Sequence, residues 1–284
     1  MLLAHLTDIH VADERDYADG WKAKVRKHSE QLLDRLLADL ASFRPDHVVL
    51  TGDITQTARR DEFERARAYI DAHLPGIRVT ALPGNHDRWS EAAVVGRFFE
   101  RTFGDFSLCD LGGEGFPFCH LLGRDVALVA LDSSPFVPGA NPADVKGYVA
   151  PAQLERLRQL AADERLRSRM LVVLIHHHLR LSKEDEQAVD PKDPTPLENA
   201  PDVLAALQQA NVGLVLHGHR HKEMRLDLIL GDRPVPVLCP GSATRVDQRP
   251  DRTGRYGLYR IEAGRLAGAR TRAWDASAGR FDWA

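Results

Sequence analysis

The chain has 284 residues, with 38 lysines and arginines against 41 aspartates and glutamates, so its formal net charge is −3. That balance excludes a strongly basic protein that binds duplex DNA over a broad positive surface or clamps onto an anionic membrane. Hydrophobic residues make up 43% and charged residues 28% of the chain, a composition typical of a globular protein of one or two domains.

The cysteines and the amino-terminal residues indicate a reducing compartment. Cys109, Cys119 and Cys239 form no CxxC motif, and an odd number leaves no complete disulfide framework. The first residues lack the basic region of a secretory signal, and no apolar run approaches the ~20 residues that span a bilayer. We therefore expect a cytoplasmic protein that does not enter a membrane.

Short apolar segments alternate with longer segments of helical periodicity, which predicts an α/β fold. Buried strands are expected in the segments rich in valine and leucine, at 2–7, 47–51, 78–82, 126–131, 170–175, 212–216 and 235–239. Helices are expected between several of them, from 31 onward and at 62–73, 91–101, 151–163 and 202–210.

Two regions depart from this alternation. Residues 181–200 combine acidic residues with three prolines and predict a long surface loop or a lid. Residues 241–284 form a β-rich extension, with strands expected at 256–261 and 269–274. Each region is expected to be a solvated connection or edge structure; the alternative is that it shapes a substrate pocket or a homodimer contact. The whole chain, 1–284, is expected to form one domain.

Polar clusters rich in histidine and aspartate follow five of the predicted strands. They are Asp8 with His10, Asp53, Asn85 with His86 and Asp87, His176 with His177 and His178, and His217 with His219 and His221. In open α/β sheets, ligands bind outside the carboxyl ends of the strands. If the strands share one orientation, the five clusters meet at one edge of the fold and form a single site.

The residue types in these clusters indicate a metal centre. Aspartates gathered without a counter-charge repel one another and raise their own pKa values, and divalent cations remove that penalty. Mixed imidazole and carboxylate donors suit Zn, Fe, Mn or Co rather than Ca or Mg. The donors outnumber those that one tetrahedral ion uses, whereas two ions sharing a carboxylate would use them.

The chain resembles the calcineurin-like metallophosphoesterase family in five motifs, which occur in the family's order over residues 8–221. They are Asp8-x-His10, Gly52-Asp53, Gly84-Asn85-His86-Asp87, His176-His177 and Gly218-His219-x-His221. Spacing and size are most similar to the bacterial branch of class III cyclic-nucleotide phosphodiesterases and glycerophosphodiesterases. The resemblance implies a metallophosphoesterase-like four-layer αββα sandwich, with a dinuclear metal site at the carboxyl ends of the strands.

The resemblance also implies a role for each site residue. Asp8, His10 and His221 would hold the first ion, Asn85, His176 and His219 the second, and Asp53 would bridge both. His86 would face the phosphate as a catalytic acid, and Asp87 would orient its ring. The cofactors would be two divalent transition-metal ions per chain: Mn, Fe, Zn or Co.

Several histidines leave alternatives open. The family has a proline soon after the fourth-motif histidines, whereas Leu179 follows here, so either His176 or His177 is the ligand; His176, first after the strand, is favoured. His178 either contacts phosphate or fills the place of the proline, and His217 is a candidate support for the ligands. Two histidines inside apolar segments, His5 and His47, are expected to be hydrogen-bonded core residues, and three others are expected at surface or packing positions: His28, His73 and His120.

Two branches of the family fit the sequence less well. Purple acid phosphatases supply a tyrosine three residues after the bridging aspartate, where this chain has Gln56, so a tyrosinate-bound ferric ion is not expected. Protein serine/threonine phosphatases read Asn-His-Glu where this chain ends the motif with Asp87.

The resulting hypothesis is a metal-dependent phosphodiesterase that hydrolyses small phosphodiesters, either cyclic nucleotides or glycerophosphodiesters, by attack of a metal-bridging hydroxide. The alternatives are a phosphomonoesterase or a nuclease of the same fold, and a metal-binding scaffold without activity. A nuclease would need a longer basic groove than the balanced charge indicates. A scaffold has no chemical need for an uncoordinated His86 beside the phosphate.

Overall fold

Two six-stranded sheets form the framework of the molecule. The structure is a computed structural model that describes residues 1–12, 28–140, 146–179, 197–247, 249 and 252–284. The strands are β1 (Leu2–Leu6), β2 (His47–Thr51), β3 (Arg78–Leu82), β4 (Phe118–Leu122), β5 (Val126–Ala130), β6 (Met170–Leu174), β7 (Val212–Leu216), β8 (Met224–Leu230), β9 (Arg233–Cys239), β10 (Arg255–Glu262), β11 (Arg265–Asp275) and β12 (Arg280–Trp283). The first sheet has the order β12-β11-β10-β1-β2-β3 and the second β4-β5-β6-β7-β9-β8.

Helices cover the outer face of each sheet. They are α1 (Glu30–Ser42), α2 (Arg60–His73), α3 (Glu91–Val95), α4 (Phe98–Phe103), α5 (Pro151–Ala162), α6 (Glu164–Arg167) and α7 (Ala200–Gln208), with short 3-10 helices at His86–Arg88 and Gly104–Ser107. Helices α1, α2 and α4 pack on the first sheet, and α5 and α7 pack on the second. This arrangement confirms the predicted α/β class and the four-layer αββα sandwich.

The alternation of side chains along each central strand produces three separate layers of core. In β1, Leu3 points between the two sheets, whereas Ala4 points to the helices. In β2, Val49 and Val48 divide in the same way, because successive side chains of a strand point to opposite faces. Both faces of the central strands are therefore buried, which explains their nearly continuous apolar sequences.

Hydrogen-bonded histidines lie in the layer between the sheets. The Nε2 atom of His5 is 2.7 Å from the Thr51 hydroxyl, and Nε2 of His47 is 2.6 Å from the Thr80 hydroxyl. The same Thr80 hydroxyl is 2.6 Å from Nδ1 of His120 on the opposite sheet. His5 and His47 are thus core residues, as expected, and His120 is a buried packing residue.

The predicted strands and helices occur within a few residues of their expected limits, with specific differences. The single helix expected at 91–101 is divided into α3 and α4, because Arg97 between them has a φ of 51°. Strands β4, β8 and β12 were not expected. The β8 strand alternates buried and exposed residues at the edge of its sheet, so its sequence is more polar than that of a central strand.

The carboxyl-terminal extension contains the expected strands as β10 and β11. However, β10 lies between β1 and β11, so it is an interior strand rather than edge structure. Of the loop or lid predicted at 181–200, only the last four residues lie within the described part of the chain. No helix among the described residues is long and apolar enough to cross a membrane. The single domain, the homodimer and the cytoplasmic location stay predictions.

Candidate metal centre

The five polar clusters singled out in the sequence follow β1, β2, β3, β6 and β7. Strands β1, β2 and β3 are parallel in the first sheet, and β6 and β7 are parallel in the second. The loops that follow parallel neighbours lie at the same end of a sheet. Side chains from the two sheets also meet directly, since Nδ1 of His219 is 3.1 Å from Oδ1 of Asn85. The clusters therefore form one site.

The first group of candidate ligands contains Asp8, His10, Asp53 and His221. One possible ligand atom from each lies within 4.8 Å of those of the others. Nε2 of His221 is 3.2 Å from Oδ1 of Asp8 and 2.9 Å from Nε2 of His10. Nε2 of His10 is 3.6 Å from Oδ2 of Asp53. We call these four side chains the first ligand group.

The second ligand group contains Asp53, Asn85, His176 and His219. Nε2 of His176 is 3.0 Å from Oδ1 of Asn85 and 3.3 Å from Oδ1 of Asp53. Ligand atoms of Asp53, His176 and His219 lie within 4.8 Å of one another. Asp53 thus directs Oδ2 to the first group and Oδ1 to the second, the arrangement that a bridging carboxylate requires.

The chemistry of these donors fits two divalent cations. Asp8 and Asp53 are almost fully buried, and no lysine or arginine in the described part of the chain forms an ion pair with either carboxylate. A buried charge needs a compensating charge to be tolerated. The close approach of the His10 and His221 Nε2 atoms is also natural where two lone pairs face one cation. Each candidate ligand named from the sequence belongs to one of the two groups.

Electrostatics within the two groups are consistent with this assignment. Burial, followed by the rings of His28 and other histidines, holds the pKa of His10 well below its usual value, so this ring is in the neutral form that binds metal. Burial opposes the charged form of His176, but the Asp53 carboxylate stabilises it and the pKa is raised to about 9. The direction of this shift reflects the buried negative charge of Asp53, which a bound cation would balance.

The backbone at the ligands is held in an unusual conformation. Five candidate ligands have φ values in the left-handed region: Asp8, His10, Asp53, His219 and His221. Residues other than glycine rarely adopt such values, and they concentrate where the surrounding structure holds a functional geometry. Each of these residues lies in a loop that follows a strand, and this loop directs its side chain to the common edge.

His86 lies beside the two groups without joining either. Its backbone N–H donates to Oδ1 of Asp53 at 2.9 Å, and its ring packs edge-on to His10 at a centroid distance of 4.6 Å. Its Nδ1 donates to the main-chain carbonyl of Gln56 at 2.7 Å. The other ring nitrogen, Nε2, is therefore the atom that remains for a substrate.

The predicted contact between Asp87 and the His86 ring is not formed. The Asp87 carboxylate accepts hydrogen bonds from the backbone N–H groups of Ile54, Thr55 and Gly84 and from the Thr55 hydroxyl. These donors consume its oxygens, so Asp87 joins the loop after β2 to the loop after β3. The carbonyl of Gln56 orients the ring instead.

The histidines with open assignments occupy different places. His176 lies in the second ligand group. Nδ1 of His177 is 2.9 Å from the Ser133 hydroxyl, and among the described residues His177 belongs to no group of candidate ligands. His178 is buried with its ring stacked 6.0 Å from that of His219. His217 is buried, and its Nδ1 donates to the Gly218 carbonyl.

Two features of the site escaped the sequence analysis. Asp132, which follows β5, pairs with Arg88, and the neighbouring Ser133 contacts His177. A sixth strand end therefore contributes to the site, and a search for polar residues directly after each apolar strand would have found it. His28, expected at the surface or in packing, has its ring 4.4 Å from that of His10. It precedes α1 in no recognisable motif, so the sequence carries no signal for it.

The chain is similar to known proteins in sequence and in fold. A protein of Pseudoalteromonas sp. (strain SM9913) named probable cyclic nucleotide phosphodiesterase is 23% identical over 267 residues, 92% of this chain and 88% of the relative. A dimetal phosphatase from Danio rerio has a TM-score of 0.64 at 15% identity, covering 96% of this chain and 94% of its own. A purple acid phosphatase from yellow lupin has a TM-score of 0.61 at 13% identity, over all of this chain and 52% of its own. The two structural likenesses concern the fold.

Two abutting groups of imidazole and carboxylate donors at the strand ends of an αββα sandwich define the class of metal-dependent phosphoesterases. The family model described as calcineurin-like phosphoesterase matches residues 1–223. The chain therefore belongs to the calcineurin-like phosphoesterase family, and the resemblance found in its sequence is confirmed.

Proposed function

We propose that this protein is a phosphodiesterase that hydrolyses small phosphodiesters, with cyclic nucleotides as the first class to test and glycerophosphodiesters as the second. The observation that carries the proposal is the position of Asp53, which directs one carboxylate oxygen to each ligand group. The name of the Pseudoalteromonas relative supports the choice of cyclic nucleotides. Mn, Fe, Zn and Co are the ions that the donors suit.

The side chains of the two ligand groups would hold the ions, Asp8, His10 and His221 one of them and Asn85, His176 and His219 the other. When bound, two such cations supply a nucleophile at neutral pH and neutralise the charge that develops on the phosphoryl oxygens. Because the ligands follow five strands of two packed sheets, their positions are fixed before a substrate arrives. Such preorganisation is the main way a protein stabilises a charged transition state.

His86 donates a proton to the leaving oxygen in this proposal. Its Nδ1 hydrogen is held by the Gln56 carbonyl, so in the protonated ring the hydrogen on Nε2 is the one available for transfer. The ring packs against those of His10 and Trp89, at centroid distances of 4.6 and 4.7 Å. A catalytic acid must be fixed within reach of the atom it protonates, and these contacts fix the ring.

The test is hydrolysis of bis-p-nitrophenyl phosphate by protein treated with EDTA and then supplied with Mn²⁺. We expect no hydrolysis after EDTA and recovery with Mn²⁺, followed by activity on cyclic AMP or glycerophosphoethanolamine in a substrate panel. Hydrolysis of p-nitrophenyl phosphate but of no diester would favour the phosphomonoesterase instead. Cleavage confined to single-stranded DNA would favour the nuclease, and two bound ions without hydrolysis of any ester would favour the scaffold.

A further inference from the structure

His28 lies against the first ligand group although it belongs to none of the five motifs. Its ring is 4.4 Å from that of His10 and 5.4 Å from that of His221, measured between centroids. One ring nitrogen from each of these three histidines falls within 4.8 Å of the others, a separation that a single metal ion can span.

The hydrogen bonds of Thr244 decide which nitrogen of His28 is available. The Thr244 hydroxyl donates its only hydrogen to the Ile9 carbonyl, so toward His28 it can only accept. Nδ1 of His28, 2.9 Å away, must therefore carry the hydrogen of that bond. In the neutral ring Nε2 then has the lone pair. In histidines that bind a metal, the N–H of the other ring nitrogen usually donates a hydrogen bond in this way, which fixes the tautomer and the orientation of the ring.

The backbone around His28 is joined to the backbone of the ligands. His28 forms an antiparallel bridge with Arg245, and the N–H of Ser29 donates to the Thr244 carbonyl at 3.1 Å. The segment that carries Thr244 is held in turn by the Ser242 hydroxyl, which donates to the Asp8 carbonyl at 2.7 Å. The position of His28 is therefore set by the same turn that positions Asp8 and His10.

A neighbouring positive charge does not preclude a cation here. Arg245 pairs with His28 through its backbone, and its guanidinium forms a two-point ion pair with Asp247 at 3.0 and 3.2 Å. Both partners of this pair are largely buried, with side chains 10% and 14% exposed. Asp247 also pairs with Arg249 at 2.8 Å, so its single charge is shared between two arginines and offsets part of the Arg245 charge. The carboxylates of Asp8 and Asp53, in the first ligand group, add two negative charges beside His10 and His221.

We infer that Nε2 of His28 is a further ligand of the first ion, on the side of His10 and His221, the two candidate ligands with which it forms a group of ring nitrogens within 4.8 Å. The inference rests on the proposed metal centre and adds to it a residue from outside the five motifs. It gives the first ion three imidazole nitrogens, whereas the second ion has two imidazoles and the Asn85 amide. The two ions then differ in their ligands, and loss of His28 weakens binding of the first ion selectively.

The test is titration of Co²⁺ into metal-free protein, followed by calorimetry and by proton NMR of the paramagnetic complex. Each histidine that binds Co²⁺ through one nitrogen shows a strongly shifted, exchangeable signal from the N–H of its other nitrogen. His28→Ala and His28→Gln should each lose one such signal and weaken one of the two Co²⁺ sites about tenfold or more. The glutamine variant retains a polar side chain opposite Thr244, so it separates loss of a ligand from loss of folding.

Matched variants sharpen the result. His73→Ala removes a histidine that pairs with Asp34 on the helical surface, and it should leave both Co²⁺ affinities and all shifted signals unchanged. Thr244→Val removes the acceptor of the Nδ1 hydrogen, and it should weaken the same site as His28→Gln while keeping the number of shifted signals.

The outcomes separate this inference from the proposed function. Two Co²⁺ ions bound at wild-type affinity by His28→Gln, with every shifted signal retained, would overturn the inference and leave the metal centre intact. A raised KM with unchanged Co²⁺ binding would overturn it too, since His28 would then contact substrate. Wild-type protein that binds no Co²⁺ would overturn both.

Discussion

The Arg88 guanidinium lies 3.2 Å from the Asp132 carboxylate, and this ion pair joins the loop after β3 in the first sheet to the loop after β5 in the second. Arg88 follows Asn85 by three residues and pairs also with Glu100 at 2.8 Å. Asp132 precedes Ser133, the partner of His177. The ion pair therefore connects the two halves of the site directly behind the second ligand group.

Arg88→Met should destabilise the fold by about 3 kcal/mol, because it leaves two carboxylates, one of them largely buried, without their cation. The free energy of unfolding in urea measures this effect. Arg158→Met, which removes a pair with Glu155 on an exposed face of α5, should change it by less than about 0.5 kcal/mol. An equal decrease in the free energy of unfolding in the two variants would show that the Arg88 ion pair stabilises the fold no more than an exposed ion pair does.

His86→Ala should reduce turnover by about 10² to 10⁴ on substrates with poor leaving groups, because the catalytic acid is lost. The reduction should be much smaller on bis-p-nitrophenyl phosphate, since nitrophenolate leaves without protonation. Steady-state kinetics on the two kinds of diester measures the difference, and metal content should stay near that of the wild type. The acid role is wrong if both substrates lose the same factor.

Asp53→Asn should release both metal ions, because one oxygen of this carboxylate faces each ligand group. Elemental analysis of protein dialysed after loading with Mn²⁺ measures the remaining metal per chain. Asp61→Asn, at a partly exposed position in the first turn of α2, is the matched control and should keep the wild-type content. Full retention of metal in Asp53→Asn would remove this residue from the bridge.

Gly84→Ala should abolish hydrolysis, because a Cβ atom at this position would overlap Oδ1 and the backbone nitrogen of Asp53. The carboxylate would be displaced from both ligand groups. Gly104→Ala is the control, since a Cβ there meets no atom within 4 Å. Activity on bis-p-nitrophenyl phosphate and Mn²⁺ content should fall together in Gly84→Ala only. A fully active Gly84→Ala protein would mean that Asp53 tolerates displacement.

The buried histidines between the sheets should make the fold sensitive to acid. Burial, with the charge of neighbouring groups, lowers the pKa of His47 to about 3 and that of His120 to about 4, whereas both titrate near 6.5 when unfolded. As the pH falls below about 6.5, the unfolded chain binds protons that the folded chain does not. The free energy of unfolding therefore decreases as the pH is lowered, by ~1.4 kcal/mol per pH unit for each ring, until the pH reaches the pKa of that ring in the folded protein.

His120→Gln removes one of these rings and should make the pH dependence between 6.5 and 4 shallower by that amount. Urea unfolding at a series of pH values gives the slope, which separates titration from the constant cost of an altered hydrogen bond. Identical slopes in the wild type and in His120→Gln would contradict titration of the buried ring.

The sequence predicted the sheet strands that carry the ligands because both faces of those strands are buried. Segments such as 47–51 and 170–175 are nearly uninterrupted apolar runs, and a polar cluster directly after such a run is a local signal. Strand β8 gave no such signal, because it lies at an edge and half of its residues face solvent. Interior strands can therefore be predicted from the apolar pattern of the sequence, whereas edge strands cannot.

The sequence by itself determined the order and chemistry of the candidate ligands, since each motif lies within a few consecutive residues at a strand end. Only the tertiary structure decided that Gln56 rather than Asp87 holds the His86 ring and that the His28 ring lies against those of His10 and His221. These contacts connect segments far apart in the chain through single hydrogen bonds or ring contacts. Such contacts impose no periodicity on the sequence, so they become visible only when the two sheets are packed.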